Sequence, residues 1–375
     1  MLLPPGSTIA VVGIGKLGLC FAVTLASLGL KVIAVDTNTA YIDRLVSGNF
    51  SSPEPGLDSM LHQFRDAITF SAEPADAAQA CVVFFLVQTP VIDNNLYDHA
   101  YLNAAIDSVA SACEGPTRMV VNSTVIPGFM REVAARHPAH AFFYNPAFVA
   151  QGDVLDGYRS GGWFGVVLIG SPSKDDGEFL VSIYEELDPN TRVIVVSPES
   201  AELCKLSSNC FRTMKIAFAN MVADIARATP GASANEVCTM LSQDKSIGAH
   251  CMRPGYGYGG PCYPRDNRAL SAFAHLAGVP TSMLDAIDTE NNAHHDRMAS
   301  ALAAENREVY EFADVGYKPG LKVPMIDASP PLAVAERLAN LGKSVAICAP
   351  PEFERLVRIR YGDAFTYNSV QKKLL

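Results

Sequence analysis

The 375-residue chain is 49% hydrophobic and 18% charged, enough for two or three domains of about 100–200 residues each and far too long for a disulfide-stapled miniature. No apolar run reaches the roughly 18 uncharged residues that a membrane-spanning helix requires, and a net charge of −10 argues against a nucleic-acid binder or a polybasic membrane surface. Any anionic ligand must therefore be held by local chemistry. The nine cysteines are odd in number and show no CxxC spacing, a pattern of thiols in a reducing compartment rather than a disulfide frame or a structural zinc site. The opening residues, MLLPPGSTIAVVGIG, carry no basic stretch ahead of the apolar run, so no secretory signal is expected and a cytoplasmic location is.

From Thr8 to about Leu187 short apolar runs alternate with helical patterns; the runs are IAVVGIG, KVIAVD, CVVFFLV, MVVNST, AFFYNP and VVLIG. Buried parallel strands read as continuous apolar runs, so the alternation predicts a Rossmann-type, doubly wound α/β domain over residues 1–196. A short strand at Val193–Val196 leads into a long helix with Ser197 as N-cap, Pro198 in the first turn and acids at Glu199 and Glu202. Leu203, Leu206, Met214, Phe218, Val222 and Ile225 keep helical spacing until Pro230-Gly231 stops it. At about thirty residues this helix exceeds the usual globular length, which suggests a span between domains or across a dimer. Residues 197–305 are expected to form an all-helical central domain, interrupted by the loop RPGYGYGGPCYPRDN. Residues 306–375 predict a small C-terminal α/β domain holding one βαβ unit and little more, ending in a tail through YNSVQKKLL.

Gly13, Gly15 and Gly18 form GxGxxG between a strand and a helical pattern. The first glycine permits the tight turn, the second lets backbone approach a pyrophosphate, and the third allows close helix–strand packing; the helix N-terminus then offers N–H groups to phosphate. KVIAVD ends in Asp36 about twenty residues on, where a carboxylate accepts bonds from ribose hydroxyls and repels a 2′-phosphate, so the expected cofactor is NAD. Lys16 is either a further phosphate contact or a solvated lysine. Cys262 stands in a loop dense in glycine and proline. Eight of the cysteines read as small hydrophobes, whereas a thiol in such a loop is accessible to a substrate carbon and is a candidate nucleophile. Lys205 and Asn209, spaced i and i+4, share one helix face and can address one oxygen.

Taken in order, VVGIGKLG, SPEPGL, QTP, NSTVIPG, NPAFVAQG, AELCKLSSN, GYGYGGPCYPRD, YKPG and DASPP resemble the UDP-glucose/GDP-mannose dehydrogenase family of nucleotide-sugar 6-dehydrogenases, from Ile9 to about Gly342. The resemblance implies oxidation of a sugar CH2OH to a carboxylate with two NAD+, through a thiohemiacetal and a thioester on Cys262. It implies oxyanion stabilisation by Lys205 and Asn209, proton transfer and water activation by Asp266, and a positioning role for Thr124 beside the nicotinamide. Thr89 and Pro90 join the implied cofactor contacts. Phe148, Gln151, Tyr256, Gly257, Gly259, Tyr317 and Lys318 join Lys205 and Asn209 as implied nucleotide-sugar contacts. A homodimer built on the long helix is implied, with no metal, nucleic acid or membrane partner.

The chain also departs from the family pattern. The usual NPEFLxEG reads NPAFVAQG, so Ala147 and Gln151 replace two glutamates tied to proton transfer and thioester hydrolysis, leaving Asp266 to act alone or with Asp153 or Asp156. Asp327 stands where many members have an arginine, residues 159–166 lack the usual Pro-Asp-Arg, and the third domain reads as shortened. Two other readings stay open: a β-hydroxyacid-type NAD dehydrogenase using Lys205 and Asn209 without a thiol, and a degenerate paralogue with two-electron activity or none.

Overall fold

A computed structural model describes residues 3, 4 and 6–368, and the backbone but not the side chain of Trp163. The chain divides into two compact units between Lys205 and Leu206. The first unit is built from β1 (Thr8–Val12), α1 (Lys16–Ala26), β2 (Lys31–Val35), α2 (Thr39–Val46), α3 (Leu57–Gln63), β3 (Ile68–Ser71), β4 (Val82–Phe85), α4 (Ala100–Ala112), β5 (Arg118–Val121), α5 (Phe129–Arg136), β6 (Ala141–Tyr144), α6 (Val154–Ser160), β7 (Val167–Gly170), α7 (Lys174–Leu187) and β8 (Val193–Val196). Its eight strands lie in the order β3-β2-β1-β4-β5-β6-β7-β8. Side chains alternate along the central strands: Ile9 and Val11 of β1 join Phe21 and Leu25 of α1 in one core, while Ala10 and Val12 join Leu102 and Ile106 of α4 in the other. Helices therefore cover both faces, and the central strands are apolar beyond their first residues, as the sequence predicts.

Two features of the sheet differ from that expectation. The strand β3, ITFS, is too short and too polar to stand out, and it forms because β2 offers it a parallel edge. The chain then reverses between β6 and β7, which pair antiparallel through Tyr144 and Gly170. Asn145 holds this reversal. Its Nδ2 donates to Leu168 O at 2.9 Å, its Oδ1 accepts from Tyr184 OH at 2.5 Å, and its carbonyl accepts from Asn122 Nδ2 at 2.6 Å.

The long helix is α8 (Pro198–Arg227), of 30 residues, with Ser197 Oγ accepting from the Ser200 N–H. It is followed by α9 (Ala234–Gln243), α10 (Tyr263–Leu276), α11 (Ser282–Ala304), β9 (Tyr310–Phe312), α12 (Pro330–Asn340), β10 (Val345–Ile347), α13 (Pro351–Tyr361) and β11 (Thr366–Tyr367). The last three strands form a parallel sheet, β11-β10-β9, over a core that includes Phe312, Leu332, Leu338, Ile347 and Val357. The helix α13 and strand β11 go beyond the single βαβ unit expected; residues 369–375 of the tail lie outside the described residues. No described helix is long and apolar enough to cross a membrane.

Two buried carboxylates substitute for ladder hydrogen bonds where strands give way to loops. Glu202 of α8 accepts from the Gly128 and Met130 N–H groups at 2.6 and 2.7 Å, at the start of α5. Glu54 accepts from Gly152 and Val154 at 2.8 and 2.7 Å, at the start of α6. Each satisfies two orphan helix donors with one side chain. Glu202→Gln keeps the volume but turns an NH2 group toward one of the two donors. The expected cost is about 1–3 kcal/mol, read as a lower urea midpoint at unchanged m-value.

Candidate active site

In the first unit the sheet order reverses between β1 and β4, the place where such sheets bind ligands at the carboxyl ends of their strands. Gly13 turns there with φ 88°, and a Cβ on it would lie 2.8 Å from the Leu86 carbonyl carbon. A Cβ on Gly18 would lie 2.0 Å from Gly13 O, which explains the third glycine by packing alone. Gly15 is exposed, with nothing within 4 Å of the position a Cβ would take, and it caps α1 without a side-chain bond. Lys16 is exposed at the first position of α1. Tyr41 OH donates to Ile14 O at 2.9 Å and ties α2 to the turn. Asp36, just past β2, is partly exposed and accepts from the Asn38 N–H at 3.0 Å. An open helix N-terminus beside a ribose-reading carboxylate fits NAD: Gly13, Gly15 and the start of α1 would hold the pyrophosphate, and Asp36 the ribose.

The loops after β4 and β5 lie beside this crevice. Thr89, 4% exposed, donates through Oγ1 to Thr124 O at 2.8 Å, and Pro90 O accepts from the Asp98 N–H. Thr124 itself is half-buried. The loop after β6 carries Ala147, Phe148 and Gln151. Lys205, 7% exposed, donates through Nζ to Ala147 O at 2.7 Å and stands 4.6 Å over the Phe148 ring, which stacks on Phe164. Gln151 Oε1 is buried with no hydrogen-bond partner.

In the second unit Cys262 is exposed, and it is the N-cap of α10 rather than a mid-loop residue. The signal for this was present: Pro264 and Asp266 both suit a first helical turn. The sulfur therefore sits at the positive end of the helix dipole. Asp266, one turn on, is fully buried; its Oδ2 accepts from Asn209 Nδ2 at 2.6 Å and its Oδ1 from Arg265 Nε at 3.1 Å. Asn209 Oδ1 is buried without a partner.

The glycines around the thiol have a different reason from the open approach expected of them. A Cβ on Gly259 would lie 1.9 Å from Ala328 O, one on Gly260 2.5 Å from the Tyr317 ring, and one on Gly257 2.6 Å from Asn291 Oδ1. The loop is packed against α11 and the segment before α12, with Gly260 N–H donating to Asp327 O at 3.0 Å. Tyr256 is exposed, and Lys318 stands over the Tyr317 ring. Burial, with the charges of Cys262 and Asp327 nearby, pushes the Tyr317 phenol up to about 12.

Sequence reasoning missed the anchors of this loop. Gly255 N–H donates to Asn220 Oδ1 at 2.8 Å, and Gly255 O meets His294 Nε2 at 2.8 Å, while His294 Nδ1 meets Asp224 at 2.9 Å. Asn291 Oδ1 accepts from the Tyr258 N–H at 2.9 Å. His295, 4% exposed, packs under Gly257, and burial together with the neighbouring Arg337 and His294 lowers it to about 4. No group of three or more metal-ligating side chains occurs among the described residues.

The strand order, the glycine-lined crevice and the acid after β2 define a Rossmann-type, NAD-dependent oxidoreductase. More particularly, the chain belongs to the UDP-glucose/GDP-mannose dehydrogenase family: residues 7–188 match its NAD binding domain and residues 199–293 its central domain. It is 31% identical to the UDP-glucose 6-dehydrogenase of Pseudomonas aeruginosa over 308 residues, covering 78% of this chain and 67% of that one. It is 28% identical to the GDP-mannose 6-dehydrogenase of Pseudomonas putida, covering 90% and 80% of the two chains. A UDP-glucose dehydrogenase from the archaeon Pyrobaculum islandicum superposes with a TM-score of 0.87 at 28% identity, covering 99% of this chain and 88% of that chain.

The buried His295 makes stability pH-dependent. Its folded value lies below its ordinary one of 6.5, so the unfolded chain binds the proton first, and stability present above about pH 6.5 is lost as pH falls toward 4. Calorimetry from pH 7 to 4 should find a loss of about 1–3 kcal/mol from this residue, and His295→Gln should flatten the slope over that window.

Proposed function

We propose that this protein oxidises the C6 hydroxymethyl group of a UDP-glucose-like nucleotide-sugar to the uronic acid, with Cys262 as the covalent nucleophile. The observation that carries the reading is the exposed Cys262 at the N-terminus of α10, in the unit where Asn209 is aimed by a buried Asp266. NAD, when bound, accepts a hydride in each of the two oxidation steps. Cys262 adds to the aldehyde carbon produced by the first step, forming a C–S bond and an oxyanion. Lys205 and Asn209 supply N–H groups to that oxyanion, where donors fixed before the reaction act most strongly. The second oxidation leaves a thioester on Cys262, which water cleaves to the acid. Thr124, held through its carbonyl by Thr89, orders water near the nicotinamide side.

Substrate recognition falls to Phe148, Gln151, Tyr256, Tyr317, Lys318 and the backbone at Gly257 and Gly259. The buried, unbonded Oε1 of Gln151 supports this, since it suits a sugar hydroxyl donor. Residues 1–196, 197–305 and 306–375 act as cofactor, central and nucleotide-sugar regions. A cytoplasmic homodimer accompanies this reading, because Phe211, Phe218, Met221 and Ile225 of α8 expose an apolar stripe, with Phe218 at 44% and Ile225 at 57% exposure.

A panel of nucleotide-sugars with NADH counting and mass spectrometry of products tests the proposal. Two NADH per acid are expected, and Cys262→Ser should lower acid formation by about 10³-fold or more. One NADH per sugar with an aldehyde product would replace it by the two-electron reading that the loss of carboxylates at Ala147 and Gln151 motivates. For the dimer, Phe218→Asp should halve the mass measured by analytical ultracentrifugation.

A further inference from the structure

Release of the acyl group needs a base that reaches water, and the side chains at the family positions, Ala147 and Gln151, cannot accept a proton as a carboxylate does. Asp266 is fully buried and already accepts from Asn209 and Arg265. A proton placed on it would disrupt the contact that aims Asn209. One exposed carboxylate is tied to the thiol loop by backbone. Asp327 O accepts from the Gly260 N–H at 3.0 Å, two residues before Cys262. The neighbouring Ala328 has φ 42°, a left-handed conformation that a non-glycine residue adopts at a cost of about 1 kcal/mol or more, and its carbonyl closes on Gly259. These contacts hold the backbone at Asp327 against the thiol loop, and Tyr317, whose ring packs on Gly260 and whose phenol is raised first by burial, lies near both Cys262 and Asp327.

We propose that Asp327 is the base that activates water for release of the acyl group from Cys262. This rests on the thioester reading above. The water oxygen forms the new C–O bond, and one water proton passes to the Asp327 carboxylate. The C–S bond breaks with its electron pair returning to sulfur, and the remaining acid proton goes to the thiolate.

The test uses the full-length protein, NAD+ and the best sugar of the panel in stopped flow. Asp327→Asn should keep a burst of two NADH per Cys262, lose about 10- to 100-fold in steady-state turnover, and accumulate an acyl adduct visible by intact mass. Hydroxylamine, which cleaves thioesters without a protein base, should restore turnover. Asp327→Glu should retain more turnover than Asp327→Asn. Without substrate, removal of the nearby negative charge should speed iodoacetamide labelling of Cys262 at pH 7 by about 2- to 5-fold. Asp327→Ser serves the same measurements where Asp327→Asn does not fold. Turnover within twofold of wild type would overturn the proposal, as would a burst lost together with turnover, because Asp327 would then act before the thioester forms. Absence of any two-NADH burst in the wild type would instead overturn the thioester reading, and this inference with it.

Discussion

Loops that leave a sheet carry backbone N–H and C=O groups with no ladder partner, and burial makes each unpaired group cost about 1–3 kcal/mol. This protein meets that constraint with a few buried polar side chains. Glu202 and Glu54 each take two amides at a helix start. Asn145 holds the reversal between β6 and β7, and Asn220, Asn291 and His294 hold the segment that leads to Cys262. In the first unit Glu202 and Glu54 anchor the loops of Thr124 and Gln151, so the geometry offered to a ligand is set by the same bonds that keep the loops folded.

The arrangement bears on how the thiol is presented. Gly259 and Gly260 allow the loop to lie on Ala328 and Tyr317 with no Cβ between them, which makes the loop stiff rather than open. Access to the sulfur comes instead from its place as the N-cap of α10, where the chain turns into a helix and Cys262 is exposed. A rigid loop and an exposed sulfur are compatible only because these two tasks fall to different residues. A loop packed in this way has little backbone freedom left to lose when a molecule binds beside it.

Much of this was legible in the sequence because the signals were local. The apolar runs specified seven of the eight strands in the first unit, and GxGxxG with Asp36 specified the cofactor side. The 30-residue α8 and the i, i+4 spacing of Lys205 and Asn209 followed from helical periodicity. What escaped was set by distant partners. The strand β3 exists because β2 pairs with it, and the reversal at Tyr144–Gly170 depends on bonds from Asn145 to residues 23 and 39 positions away. Glu54 anchors a residue 100 positions away and Glu202 one 72 positions away, so the motifs SPEPGL and AELCK were visible but their tasks were not. The short apolar segments of the C-terminal sheet hid α13 and β11, whose pattern is polar outside the few positions that enter the core.

Ala147 bears on Lys205 through its backbone. Lys205 is almost wholly buried, and a buried ammonium is costly unless its surroundings compensate for lost water. The Ala147 carbonyl and the Phe148 ring both attract the cation, one as the negative end of a dipole and the other through its π face. A glutamate at 147 would add a negative charge to this neighbourhood, whereas alanine contributes only its backbone carbonyl. Because the contact at 147 is made by backbone, the place of Lys205 Nζ is set by the fold of the loop after β6 and not by the side chain that stands there.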